Sequence, residues 1–152
     1  GWTTIGELLK KAKEERLGPV ILFWEGTTAN GKGLLKNPNI FPCKSGKFGL
    51  KNENIHILGL KPGEEATYVG VEPFFTHIFS LCQSLPVSFQ ALSAAPSCIP
   101  PLPSPDSPLS KWGEWEEGVG EVQGGLLKVV RTRLSASDKR DFIQYWYKTF
   151  NK

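Results

Sequence analysis

Apolar and polar positions follow one another in blocks, and the first block predicts a helix near the start of the chain. Thr4 and Glu7 have the spacing of a capping box, and Leu8, Leu9 and Ala12 form a short apolar stripe. Basic residues gather towards the end of this block, where they complement the helix dipole. A Gly-Pro pair then predicts the end of the helix.

Three further apolar runs predict strands. Residues 20–24 form an apolar, partly β-branched run and predict a buried strand, and residues 55–60 predict a second core strand. Residues 126–130 predict a last strand. Between the first two runs, residues 26–54 are rich in Gly, Asn and Lys and predict a long functional loop. A helix followed by a tight turn and a buried strand predicts an α/β fold.

Two later blocks predict helices. Residues 72–84 carry apolar side chains on more than one face, which is typical of a core helix or of a surface that rests on lipid. The last block begins with a cap near Ser137. Its predicted apolar face consists of Phe142, Ile143, Trp146 and Phe150.

The composition between these blocks changes sharply at one place. Residues 93–110 hold six prolines together with Ser and Ala, which predicts a segment that builds no core. The predicted organisation is therefore a first part at residues 1–92, a Pro-rich disordered linker at residues 93–118, and a small strand-helix segment at residues 119–152. A Pro-rich ligand for a small recognition module is the alternative for the linker.

The net charge and the cysteines argue against a nucleic-acid partner, a metal site and a disulfide framework. The 152-residue chain carries a formal charge of +3, which is too small and too scattered to predict a nucleic-acid partner. Cys43, Cys82 and Cys98 have no short spacing, so neither a metal site nor a disulfide framework is predicted. No apolar run approaches the roughly 18 residues that span a bilayer.

The motif with the most chemical information lies where the strand at residues 20–24 is predicted to end. Glu25 is followed by a turn with three glycines, two threonines, an asparagine and Lys32. This arrangement suits a polar or anionic substrate. A phosphate-binding loop is one interpretation, because Gly26, Gly31 and Lys32 satisfy Gly-x-x-x-x-Gly-Lys, but Gly33 stands where Ser or Thr would hold magnesium.

A family resemblance supports a different interpretation. Residues 23–35, Phe-Trp-Glu-Gly-Thr-Thr-Ala-Asn-Gly-Lys-Gly-Leu-Leu, resemble the Phe-Pro-Glu-Gly-Thr motif of the glycerolipid acyltransferases and look like the fungal branch of lysophospholipid acyltransferases. The likeness covers roughly residues 3–85. It implies a partial acyltransferase domain, a mixed sheet with flanking helices, followed by the linker and the C-terminal helix. Trp24 stands where the family usually has proline.

The resemblance also implies roles for individual residues. Glu25 would accept hydrogen bonds from the hydroxyls of a lysophospholipid or order the neighbouring loop, and Gly26 would let the backbone approach the ligand. Thr27 and Thr28 would donate hydrogen bonds, and Lys32 would face the phosphate. Acyl-CoA would be the co-substrate, and no other cofactor is expected.

The catalytic pair of the family is not found in this chain. The family places a His-x-x-x-x-Asp pair before the Glu-Gly-Thr strand, where the histidine acts as general base. This chain has only His56 and His77, which both come later, and the Asp position falls on Lys61 or Cys82. No catalytic residue is assigned, and we expect the pair in an upstream half of a longer protein.

The expected function is acyl-CoA-dependent acylation of a lysophospholipid, lysophosphatidic acid first of all, in glycerolipid biosynthesis, with the present chain inactive by itself. The expected location is the cytoplasmic face of the endoplasmic reticulum or of a lipid droplet. Two alternatives stay open. One is a non-catalytic lipid- or membrane-associating protein that retains the acceptor-binding loop, and the other is a degenerate nucleotide-binding loop.

Overall fold

The computed structural model describes residues 5–26, 31–37, 52–63, 74–84, 86–104 and 106–150. In these ranges, helices combine with one parallel and one antiparallel pair of strands. This is compatible with the predicted α/β class. The helices are α1 (Ile5–Glu14), α2 (Phe74–Gln83), α3 (Leu109–Leu127) and α4 (Ala136–Phe150), and the strands are β1 (Gly33–Leu34), β2 (Leu58–Pro62), β3 (Phe89–Ser93) and β4 (Val130–Arg131).

Two separate ladders organise the strands. β1 pairs with β4 in parallel, with Gly33 beside Val130. β2 pairs with β3 in antiparallel register, with Leu60 beside Ala91. The predicted strand at 55–60 therefore exists but begins three residues later. The strand predicted at 126–130 is reduced to β4, because residues 126 and 127 still belong to α3.

The core is formed by α3 and the segments that lie on it. Five buried apolar side chains form one cluster: Ile57, Ile99, Trp112, Trp115 and Val119. Trp112 and Trp115 meet edge to face, with ring centroids 6.2 Å apart. The Nε1 of Trp115 donates a hydrogen bond of 3.0 Å to the Pro100 carbonyl. The indole thereby connects the helix to the Pro-rich segment.

The Pro-rich segment differs from its prediction. Residues 96–98 form a single 3₁₀ turn, and Ile99 is buried in the core. The Leu102 amide donates a 2.7 Å hydrogen bond to the Asn52 side chain, so the stretch after Ile99 is also held. The prediction that this segment builds no core is therefore wrong. The division of the chain into domains stays a prediction, although α3 runs across the proposed boundary at residue 118.

Two glycines of α3 allow a close approach of β4. A Cβ at Gly120 would lie 2.9 Å from the guanidinium carbon of Arg131, and one at Gly124 would lie 3.3 Å from the Arg131 Cγ. The Arg131 side chain crosses the helix there and pairs with the Glu117 carboxylate at 2.6 Å. Glycine costs helix stability, up to about 1 kcal/mol per residue, and here it makes room for the arginine.

The buried strand predicted at residues 20–24 is absent, and this correction affects the site most. Residues 17–23 have no regular secondary structure, and Ile21 and Phe23 are about three-quarters exposed, at 76% and 77%. Gly18 has a φ of +91°, and Pro19 has no amide donor. A strand also needs a neighbouring strand to pair with, and none of the described residues provides one.

The predicted helices are present with small shifts. α1 ends before the Gly-Pro pair as predicted, while Thr4 lies outside the described residues. α2 confirms the helix predicted at 72–84. α4 is capped by Ser135 rather than Ser137: the Ser135 amide and hydroxyl both contact the Asp138 carboxylate, at 2.7 and 2.6 Å. None of the helices in the described ranges is sufficiently long and apolar to cross a bilayer.

Candidate functional site

The Glu25 turn is closed by its own backbone. The Gly26 amide donates a 3.0 Å hydrogen bond to the Phe23 carbonyl, and Gly26 has a φ of +64°. Gly31 has a φ of +70° at the other end of the loop. Residues other than glycine adopt such positive φ angles much less often. Glycine therefore suits the left-handed path of the chain at positions 26 and 31.

Trp24 attaches the turn to the core. Its ring is half-buried and lies edge to face on Trp115, with centroids 6.3 Å apart and an interplanar angle of 74°. An aromatic pair of this kind contributes about 0.5–1.5 kcal/mol beyond its buried area. Trp24 thus holds the turn against the core through a hydrophobic contact.

Glu25 joins the turn to strand β1. The carboxylate is half-buried, and its Oε1 accepts a 2.9 Å hydrogen bond from the Leu35 amide. Burial raises the pKa of the Glu25 carboxyl, whereas the Leu35 hydrogen bond and the charge of Lys139 act in the opposite direction. Within the described residues, no hydrogen bond to Oε2 is present. This oxygen can therefore accept a hydrogen bond from a ligand.

The contact with Leu35 extends to the C-terminal part of the chain. The Leu34 carbonyl accepts hydrogen bonds from the amide and the hydroxyl of Thr132, at 2.9 and 3.1 Å. The Lys36 amide donates a 2.7 Å hydrogen bond to the Leu134 carbonyl, just before the cap of α4. Residues 34–36 are therefore held on one side by Glu25 and on the other side by residues 132–134.

The other predicted site residues are less well defined. Gly26 lies in the turn, and Lys32 is exposed directly before β1. Thr27 and Thr28 lie outside the described residues, so their roles stay predictions. Of the two histidines, His56 is exposed and His77 is buried on α2.

The nucleotide-binding interpretation gains no support from the local structure. A phosphate-binding loop needs a helix directly after the lysine, because the helix N-terminus binds the phosphate. Here Lys32 is followed by β1 and then by irregular chain as far as residue 37. The backbone of the described loop therefore runs in a strand where that site requires a helix.

Asn37 is a polar residue near the turn that sequence reasoning missed. It is 9% exposed, and both atoms of its amide group lack a hydrogen-bond partner among the described residues. Buried amides are almost always paired, so such a group calls for an explanation. No sequence signal singles it out, because an asparagine before a proline is typical of an ordinary turn.

Comparison with known proteins adds no assignment. The chain matches no protein-family model, no curated protein and no solved structure. The acyltransferase resemblance therefore depends on the sequence of residues 23–35 alone and stays a prediction.

The raised pKa of Glu25 predicts a pH dependence of stability. A carboxyl with a higher pKa in the folded state binds more protons folded than unfolded, so its contribution falls as the pH rises from the ordinary value of 4.5 through the raised one. Glu25→Gln keeps an acceptor for the Leu35 amide and removes this titration. We expect the variant to gain stability relative to the wild type across that interval, as measured by urea unfolding at several pH values.

Glu25→Ala is the matched variant for this measurement. It removes the acceptor as well as the charge, so we expect Glu25→Ala to be less stable than Glu25→Gln by about 1 kcal/mol at every pH. A stability difference between Glu25→Gln and wild type that is flat with pH would show that the Leu35 hydrogen bond and the charge of Lys139 together balance burial. A difference that slopes the other way would show that they outweigh it.

Proposed function

We propose that this chain is a lysophospholipid-binding part of a glycerolipid acyltransferase, and that it transfers no acyl group by itself. The acceptor, lysophosphatidic acid in the first instance, binds at the Glu25 turn, and acyl-CoA is the co-substrate of the whole enzyme. The location that accompanies this proposal is the cytoplasmic face of the endoplasmic reticulum or of a lipid droplet.

One observation carries the proposal: Oε1 of the Glu25 carboxylate accepts a hydrogen bond from the fold, and among the described residues Oε2 accepts none. Oε1 is held by the Leu35 amide, which fixes the direction of the group. Oε2 can then accept a glycerol hydroxyl without any rearrangement, which lowers the entropic cost of binding. Lys32 is exposed in the same loop and provides a positive charge for the phosphate.

The experiment measures binding of a short-chain, water-soluble lysophosphatidic acid by calorimetry. Glu25→Gln keeps the acceptor for Leu35 and replaces the second oxygen by a donor, so we expect roughly tenfold weaker binding in an intact fold. Lys32→Ala is expected to weaken binding by a similar factor, less at high salt. Glu14→Gln and Lys13→Ala, which change exposed residues of α1, are the matched controls.

Equal affinities for the wild type and Glu25→Gln would remove the carboxylate from the acceptor site. An assay with acyl-CoA and lysophosphatidic acid tests the second half of the proposal. A general base contributes about 10²–10⁴-fold to the rate, so we expect no turnover above background. Rapid turnover by the chain as it stands would contradict the assignment of a non-catalytic part.

The exposed face of α2 favours a second candidate, a non-catalytic protein that associates with membranes. Phe75 is 83% exposed, and Phe79 on the same helix is also exposed. Aromatic side chains of this kind insert at the interface of a bilayer. Co-sedimentation with vesicles of phosphatidylcholine and phosphatidic acid tests this candidate. Phe75→Ser with Phe79→Ser should weaken binding at least tenfold, whereas Leu109→Ser, an exposed residue of α3, should not.

A further inference from the structure

The first turn of α4 is connected to the Glu25 turn by three hydrogen bonds. The Leu35 amide donates to Oε1 of Glu25 at 2.9 Å, and the amide of the next residue donates to the Leu134 carbonyl at 2.7 Å. Leu134 directly precedes Ser135, whose carbonyl accepts the amide of Lys139 at 3.2 Å. The backbone therefore brings Lys139 towards the Glu25 carboxylate.

The charge of Lys139 acts on Glu25. Attraction to the ammonium group lowers the pKa of the Glu25 carboxyl, against the effect of burial. Lys139 is partly buried, whereas Lys32, the lysine of the motif itself, is exposed. Water and salt screen a partly buried charge less than an exposed one, so Lys139 is the better placed of the two lysines to attract an anion near Glu25.

The acceptor proposed for the Glu25 turn carries its own negative charge close to the hydroxyl. In lysophosphatidic acid with the acyl chain on the first carbon, the phosphate and the free hydroxyl are on neighbouring glycerol carbons. A carboxylate that accepts this hydroxyl therefore lies near a phosphate of the same sign, which is unfavourable unless a cation is close to both groups. The charge of Lys139 already reaches the carboxylate.

We propose that Lys139 is a second phosphate-binding residue of the acceptor site and makes the site specific for a phosphorylated acceptor. This inference rests on the proposed function and deepens it. The ammonium group has three N–H donors, so it can bind phosphate oxygens while it stays near Glu25. The carboxylate of Asp138, the preceding residue, is held at the helix cap by the amide and the hydroxyl of Ser135, at 2.7 and 2.6 Å.

Calorimetry with two short-chain, water-soluble ligands tests this role. One ligand is a lysophosphatidic acid, and the other is the monoacylglycerol that lacks only its phosphate. We expect Lys139→Gln to bind the first at least tenfold more weakly than the wild type and to bind the second equally well. Arg140→Gln changes the next residue of α4, which is exposed, and should leave both affinities within twofold. A fold defect would weaken both ligands alike.

A titration of the Glu25 carboxyl followed by NMR tests the geometry without a ligand. Lys139→Gln removes a charge that lowers the pKa of this carboxyl, so we expect the pKa to rise in the variant. Arg140→Gln is again the matched control and should leave the pKa where it is. An unchanged pKa in Lys139→Gln would show that the two side chains are too far apart to share one ligand, and would overturn the proposal.

The binding results separate a failure of this inference from a failure of the proposed function. A wild type that binds lysophosphatidic acid, with the same affinity in Lys139→Gln, overturns the role of Lys139 and leaves the proposed function intact. Equal weakening of both ligands in Lys139→Gln overturns that role as well, because it indicates a structural residue. A wild type that binds neither ligand overturns the proposed function and this inference together.

Discussion

Replacing Trp115 by alanine should destabilise the protein by about 3–5 kcal/mol, because a large buried ring is lost from the core. Its side chain is 6% exposed and touches both Trp24 and Trp112. The substitution leaves a large cavity and removes the indole N–H that donates a hydrogen bond to the Pro100 carbonyl. Since whole domains are stable by about 5–15 kcal/mol, a large part of the variant should be unfolded under mild conditions.

Urea unfolding followed by far-UV circular dichroism measures this loss. Trp115→Phe keeps an aromatic ring in the cluster but removes the indole donor and part of the ring volume, and we expect a smaller loss of about 1–2 kcal/mol. Trp146→Ala on α4 is the matched control, because Trp146 contacts Phe142 and Phe150 on its own helix. A loss for Trp115→Ala no larger than for Trp146→Ala would show that the cluster on α3 is not the core.

The parts of the fold that the sequence predicted correctly are those with a local signal. α1, α2 and α4 each combine an apolar stripe with a start or stop residue, and these signals depend only on neighbours three or four positions away. The cap of α4 lies two residues before its predicted position, because a local pattern does not distinguish between two nearby serines. Ser135 and Ser137 are both acceptable capping residues, and only the position of Asp138 selects the first.

The strand at 20–24 was mispredicted because a strand depends on distant residues, whereas α3 was missed although it carries a local signal. An apolar run indicates that a segment can be a strand, but a strand exists only where another strand pairs with it. α3 contains five glycines, which lowers its helix propensity. The spacing of Trp112, Trp115 and Val119 is helical and would have revealed it.

The candidate site was predictable in position and only partly in chemistry. The Glu-Gly pair after an apolar run marks a turn, and the structure has a turn there. The hydrogen bond from the Leu35 amide to Glu25 spans ten residues and depends on β1, so no local pattern could reveal it. Asn37 was missed because burial, rather than residue type, makes its amide unusual.

The second large effect is expected for Ile99→Ala, in the segment whose composition predicts no core. Ile99 is 9% exposed and packs with Ile57 and the tryptophans of α3. Truncating a buried isoleucine to alanine removes three carbon atoms and leaves a cavity, which costs about 2–5 kcal/mol. We expect a loss within this range, because the prolines on either side stiffen the segment and limit its collapse into the cavity.

Ile21→Ala is the matched control for this prediction, because it makes the same chemical change at an exposed position and should alter stability by less than about 0.5 kcal/mol. Both variants are compared with the wild type by urea unfolding. If residues 93–104 were a linker, the two substitutions would have equally small effects. A large loss for Ile99→Ala alone places the Pro-rich segment inside the folded unit, because only a residue that is packed in the native state leaves a cavity.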